Sequence, residues 1–236
     1  MTEEKIRLAA IEFARVHKKE IAHELTDLKR FPPDTIPVSV FMAGSPGAGK
    51  TESSQRLIER ISSDGHTVLR IDTDDLRGRF EGYTGKNSSL FQAATAIIAD
   101  RMQDLAIEQQ QSYVFDGTLS NLERARKNIG RCIHHERVVQ ILYVYQDPLQ
   151  AWKFVVAREL RDGRSVPQES FITQYFTARE NVNALKREFG SKIRVDLIVK
   201  NIDGSDFAYR ENVDQIDSHI PERYTKDTLH DALKNL

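Results

Sequence analysis

Apolar residues recur along this chain at two spacings, and the two alternate. Between residues 3 and 29, Ile6, Ala9, Ala10, Phe13, Ile21, Leu25 and Leu28 fall near every third or fourth position, which predicts one or two amphipathic helices. Phe31-Pro32-Pro33 ends that segment, because proline lacks a backbone N–H and its ring clashes with a preceding helical turn. From Pro37 to Ala43 the run Val38, Val40, Phe41, Met42 is short and β-prone and predicts a buried strand, with a helix expected from Lys50 to about Ser62. A second strand is expected over Thr67 to Asp72. Leu90, Phe91, Ala94, Ile97, Ile98, Met102 and Leu105 then mark a long amphipathic helix, and Ser112 to Asp116 a third strand. Ser120-Asn121-Leu122-Glu123 has the form of a capping box and predicts a helix start before the strongest strand, Val138 to Tyr145. Asp147-Pro148 opens another helix, Ser165-Val166-Pro167-Gln168 one more, and Ile193 to Ile202 supplies a fifth strand.

Strands that alternate with helices predict an α/β fold, a parallel sheet with right-handed crossovers and helices on both faces. The segmentation reads as a helical extension over residues 1–34, a central domain over 35–204 and a polar tail over 205–236 with a short helix near Leu229, Ala232 and Leu233. Ligands of such sheets bind beyond the carboxyl ends of the strands, so the residues just after each strand are where chemistry is sought.

The first such segment is Gly44-Ser45-Pro46-Gly47-Ala48-Gly49-Lys50-Thr51, a G-x-x-x-x-G-K-[ST] motif between a predicted strand and a predicted helix. Glycines let the backbone N–H groups turn inward around phosphate oxygens, and the helix that follows adds the positive end of its dipole. Lys50 is placed to reach the β- and γ-phosphates of ATP, and the Thr51 hydroxyl to be a Mg²⁺ ligand. The fold expected is therefore a P-loop NTPase-type parallel five-stranded sheet.

Phosphoryl transfer to a hydroxyl needs a carboxylate to accept the proton and cations to offset charge on the moving phosphoryl group. Asp72-Thr73-Asp74-Asp75 closes the second strand. Asp74 is the chosen base, since Asp72 belongs to the strand end and Asp75 looks like the start of the next helix; helix capping is the structural alternative. Asp116-Gly117-Thr118 closes the third strand, where Asp116 could hold Mg²⁺ through water or bind acceptor hydroxyls. Arg158, Arg161 and Arg164 flank a break at Asp162-Gly163 and could form a cationic lid or a solvated helix face.

Composition narrows the acceptor. With 34 basic and 35 acidic residues the chain carries a formal charge of -1, so no basic excess favours a nucleic-acid backbone, and a small-molecule acceptor is expected over a polynucleotide end. Cys132 is the only cysteine, and no run approaches the roughly 18 apolar residues of a membrane span, which predicts a soluble cytoplasmic protein. A guanine-reading switch would need N-K-x-D, whereas Val199-Lys200-Asn201-Ile202-Asp203 reverses the first two residues. His134-His135 has no third ligand at useful spacing and reads as surface histidine.

Taken together, these motifs resemble the zeta toxin family of P-loop kinases, from about Pro37 to Ile202. The family's phosphate loop matches Gly44 to Thr51, its general base matches Asp74 in Asp72-Thr73-Asp74, and its acceptor-contacting acid-Gly-Thr segment matches Asp116-Gly117-Thr118. Its two lid arginines fall on Arg158 and Arg164, and Arg161 has no counterpart. Members carry Glu where this chain has Asp116, and the loop from Arg77 to Phe91 differs from theirs. The resemblance implies ATP- and Mg²⁺-dependent phosphorylation of a UDP-activated amino sugar, UDP-N-acetylglucosamine, by a toxin with an antitoxin partner. Another small acceptor, a nucleoside, nucleotide or antibiotic, is the second expectation. Because antitoxins of the family lay a helix over the nucleotide site, the segment 3–29 is a candidate to do so within one chain.

Overall fold

The computed structural model describes residues 2–62, 67–163, 165–221, 224–234 and 236. In chain order its elements are α1 (Glu3–Leu25), β1 (Val38–Ala43), α2 (Lys50–Ser62), β2 (Leu69–Asp72), α3 (Gln92–Glu108), β3 (Tyr113–Asp116), α4 (Leu122–His134), β4 (Val138–Tyr145), α5 (Pro148–Asp162), α6 (Gln168–Phe189), β5 (Arg194–Lys200), β6 (Asp206–Arg210) and α7 (Lys226–Lys234). Short 3-10 turns at Arg77–Arg79 and Ser88–Phe91 shape the loop between β2 and α3.

The sheet runs β2-β3-β1-β4-β5-β6, and its first five strands are parallel. β1 lies between β3 and β4, buried on both faces, which is why its sequence reads as a nearly unbroken apolar run. Side chains alternate between the two faces. Val40, Met42, Val114, Leu142, Val144 and Ile198 pack toward Leu57, Ile58 and Ile61 of α2. Phe41, Ile71, Tyr113, Ile141, Tyr143 and Leu197 face the larger cluster that contains α3 and α6.

The sheet has six strands where five were expected. β6 pairs antiparallel with β5 after the turn at 201–205, and it is a five-residue, mostly exposed strand whose one alternating pair, Phe207 and Tyr209, is too short a pattern to stand out in a polar tail. An edge strand facing solvent needs backbone pairing more than apolar side chains.

α1 is shorter than the predicted 3–29. The helix ends at Leu25, where the Thr26 hydroxyl donates to Ala22 O at 2.8 Å and buried Gln111 donates to Thr26 O at 2.9 Å and to Phe31 O at 2.6 Å. Ala10, Ala14, Ile21 and Ala22 are buried, and small residues there let α1 lie close on α3. Phe13 meets the edge of Phe80 at 5.6 Å, and Glu24 takes two hydrogen bonds from Arg79, at 3.0 and 2.7 Å. That face of α1 is spent on the main core and on the loop after β2.

Two helix starts differ in detail from the pattern reading. Asn121, not Ser120, caps α4, accepting from the Arg124 N–H at 2.9 Å, while Ser120 Oγ lies 2.9 Å from Thr118 Oγ1. α6 begins after Pro167, which fixes the entry φ but has no side chain with which to cap.

Candidate functional site

The carboxyl end of β1 turns into the phosphate loop, and three glycines take conformations closed to other residues: φ is +132° at Gly44, +74° at Gly47 and +85° at Gly49. Space decides as well as dihedral. A Cβ on Gly44 would stand 2.3 Å from Val144 O, and one on Gly47 2.1 Å from Ala151 O. The loop is thus wedged between β4 and the first turns of α5. Lys50, at the head of α2, directs its ammonium back over the loop, donating to Gly44 O at 3.1 Å and Ser45 O at 2.6 Å. An ammonium held against a glycine loop at a helix N-terminus adds positive charge where backbone N–H groups can meet phosphate oxygens, so the cradle suits a phosphate group. Thr51 follows on the first turn of α2, half-buried.

Beside the loop stand the acids. Asp72 and Asp116 are register partners at the ends of β2 and β3. Both are buried, at 8% and 6% exposure. Between them lies Arg70, two residues before Asp72 on the same strand face. Its Nη2 donates to Asp72 Oδ2 and, at 2.8 Å, to Asp116 Oδ2, while Nη1 donates to Asp75 Oδ2 at 2.7 Å. Ser54, one turn along α2 from Lys50, donates to the same Asp116 oxygen at 3.0 Å. Burial and the charges of Asp74 and Asp116 push the Asp72 carboxyl up to about 7, against the opposing pull of Arg70.

Asp74 sits at the loop start, with its N–H donating to Asp72 Oδ1 at 2.8 Å and its own carboxylate 3.0 Å from Arg77 Nη1. It is about one-third exposed, open enough to meet a ligand. Asp75 is also exposed and does not begin a helix; the 3-10 turn at Arg77 follows it and α3 starts only at Gln92. Thr118 is tied to the loop through its carbonyl, which accepts from the Gly44 N–H at 3.4 Å. The next residue, Leu119, holds a positive φ of 57°, and Asn181 of α6 donates to its carbonyl at 2.9 Å. A left-handed leucine costs about 1–2 kcal/mol, so this turn is held by its surroundings.

Arg158 is half-buried on α5. Ala151 and Val155, at spacings that share its helix face, are the residues that meet Gly47, so Arg158 continues the line that faces the phosphate loop. Arg161 is exposed, and Arg164 lies outside the described residues. The structure therefore sets Gly44–Thr51 after β1, Asp74 after β2, and Asp116 and Thr118 at the end of β3, along one carboxyl edge of the parallel sheet, with Arg158 on α5. Pattern reading missed Arg70, Ser54, Arg77 and Asn181. Arg70 left a trace, as a charge inside the otherwise apolar stretch Val68, Leu69, Ile71. Among the described residues no group of three or more His, Cys, Asp or Glu side chains is arranged to hold a metal ion by itself, His134-His135 included. No helix among them is long and apolar enough to cross a membrane.

A sequence model of the zeta toxin family matches residues 21–214. No curated protein matches the chain by sequence. Among solved structures, the chain is similar to one from the PezAT chromosomal toxin–antitoxin system of Streptococcus pneumoniae, with 13% identity and a TM-score of 0.65 over 94% of this chain and 93% of that one. It is also similar to the complex AvrRxo1-ORF1:-ORF2 with ATP, at 16% identity and a TM-score of 0.58 over 86% of this chain and 65% of that one. The same pair with sulphate ions gives 16% identity and a TM-score of 0.60, over 91% and 70%. At such identities the likeness is one of fold.

Proposed function

This chain belongs to the zeta toxin family, and we propose that it is a kinase that transfers the γ-phosphate of ATP to a hydroxyl of a small acceptor, a UDP-activated amino sugar first among them. The observations that carry the reading are the Lys50 ammonium held over a left-handed glycine loop after β1 and the half-open Asp74 carboxylate after β2, at the same carboxyl edge of the parallel sheet. The backbone of Gly44 to Gly49, with Lys50, binds the β- and γ-phosphates and keeps them in line with the acceptor. Asp74 accepts the acceptor's hydroxyl proton as the oxygen attacks phosphorus, and Arg158, with Arg164, offsets negative charge on the transferred group. Thr51 and Asp116 are the residues that would hold Mg²⁺, which when bound neutralises phosphate oxygens. Buried Asp116 serves that side of the site, and Thr118 meets the acceptor.

The family supports UDP-N-acetylglucosamine as acceptor, and with it a toxin held in check by an antitoxin protein and acting in the cytoplasm. The test is incubation of purified protein with ATP, Mg²⁺ and a panel of nucleotide sugars, nucleosides, nucleotides, aminoglycosides and oligonucleotides, followed by mass. A new singly phosphorylated nucleotide sugar is expected, and it disappears in Lys50→Ala and Asp74→Asn. Phosphorylation of an oligonucleotide end instead, or full turnover in Asp74→Asn, overturns the reading.

A further inference from the structure

Arg70 is a half-buried cation that the phosphoryl-transfer scheme does not use. Its side chain is 17% exposed and stands on the α2 face of β2, where its neighbours on the other strands, Val40, Met42 and Val114, are apolar. A guanidinium partly withdrawn from water in such company costs stability unless its donors are matched, and here they are matched by carboxylates of three residues. Two of these, Asp72 and Asp116, lie directly across from one another on neighbouring parallel strands, about 4.8 Å apart at the backbone. Like charges that close drive their side chains apart unless a cation sits between them. Arg70 Nη2 supplies it, donating to Oδ2 of each.

Each tethered carboxylate is tied onward to a reacting part of the site. Asp116 Oδ2 also accepts from Ser54, on the helix that begins with Lys50 and Thr51. Asp72 Oδ1 accepts from the main chain of Asp74. One guanidinium therefore links the phosphate-loop helix, the end of β3 and the backbone that carries the base.

On the kinase reading above, we propose that Arg70 is a positioning residue, holding Asp116 on the Mg²⁺ side of the site and Asp74 on the acceptor side in fixed register. A lysine cannot reproduce this, because a point charge lacks the planar fork that serves several oxygens at once.

The experiment compares the full chain with Arg70→Met and Arg70→Lys. A fluorescent N-methylanthraniloyl ATP is titrated with and without Mg²⁺, thermal melts are recorded, and phosphorylation of UDP-N-acetylglucosamine, or of whichever panel member is modified, is followed by mass. In Arg70→Met, nucleotide affinity without Mg²⁺ stays within about threefold, half-saturating Mg²⁺ rises at least about tenfold, and kcat falls about a hundredfold, the scale of a 1 Å misplacement. Arg70→Lys restores folding and part of kcat and leaves Mg²⁺ dependence raised. A structural role alone would lower the melting temperature and weaken nucleotide binding equally with and without Mg²⁺, and that result overturns the proposal; if Arg70→Met does not fold, an Arg70→Lys chain with wild-type Mg²⁺ dependence overturns it equally. Should no acceptor be phosphorylated by wild type, the kinase reading fails, while the Mg²⁺ titration still decides the role of Arg70.

Discussion

Replacing Gly47 by alanine isolates how far the phosphate loop depends on its contact with α5. A Cβ there would lie 2.1 Å from Ala151 O and 3.0 Å from Val155 Cγ2. A relaxed carbon–oxygen contact is about 3.3 Å, so loop and helix must part by roughly 1 Å. Ala151 O is main chain inside a helix, so no side-chain rotation relieves the clash. Alanine also has to adopt φ near +74°, which costs about 1–2 kcal/mol by itself. Gly82→Ala is the matched control, since its φ is +80° but its nearest atom, Ile6 Cγ2, is 4.0 Å away. Gly82→Ala should lose about 1–2 kcal/mol of stability, a fall in melting temperature of about 2–8 °C, and Gly47→Ala more than that because its clash adds to the same backbone cost. Only Gly47→Ala should lose nucleotide binding. If the displaced loop forfeits two N–H bonds to phosphate at about 1.5 kcal/mol each, affinity drops about a hundredfold. Titration of the fluorescent ATP analogue into each folded variant measures this. Binding by Gly47→Ala within threefold of Gly82→Ala would show that the loop does not need its seat on α5, and the steric argument would fall.

Other substitutions test the scaffold. Burial pushes the Asp196 carboxyl up, but hydrogen bonds from Arg194, the Asn212 N–H and Tyr209 outweigh it and hold it below the usual carboxylate range. Its stabilisation is therefore present above the unfolded pKa of about 3.9 and is lost as pH falls through the depressed folded value. Asp196→Asn should cost about 2 kcal/mol at neutral pH, with the share of half-exposed Arg194 trimmed by solvent, and the gap to wild type should close on acidification; urea titrations at pH 7 and pH 3 that show an unchanged gap refute this. Phe91, fully buried, packs against Phe80 at 5.7 Å and Tyr83 at 5.5 Å and anchors the far end of the loop that begins at Asp74. Phe91→Ala should cost about 3–5 kcal/mol in a urea titration, and a loss under about 1 kcal/mol would mean that the aromatic cluster is not a packed core. Folded Phe91→Ala should also turn over more slowly while binding nucleotide normally, since the perturbed loop carries Asp74, the proposed base, and not the cradle.

Local information determined most of the backbone plan of this chain. The alternation of apolar spacings located the five parallel strands and the helices between them, because period 2 and period 3.6 are imposed by covalent geometry whatever the partners are. The glycine-lysine-threonine run located the phosphate loop for the same reason, since only glycine reaches those dihedrals without strain. Three matters were left to tertiary structure. β6 exists through backbone pairing to β5, and an exposed edge strand needs no apolar code. The length and course of α1 were settled by where α3 and Gln111 receive it, so a periodicity running to residue 29 outlasted the helix by four residues. The bridge of Arg70 to Asp72 and Asp116 depends on the register between strands that lie more than forty residues apart, and no local pattern encodes which carboxylates a half-buried guanidinium will find once the sheet closes.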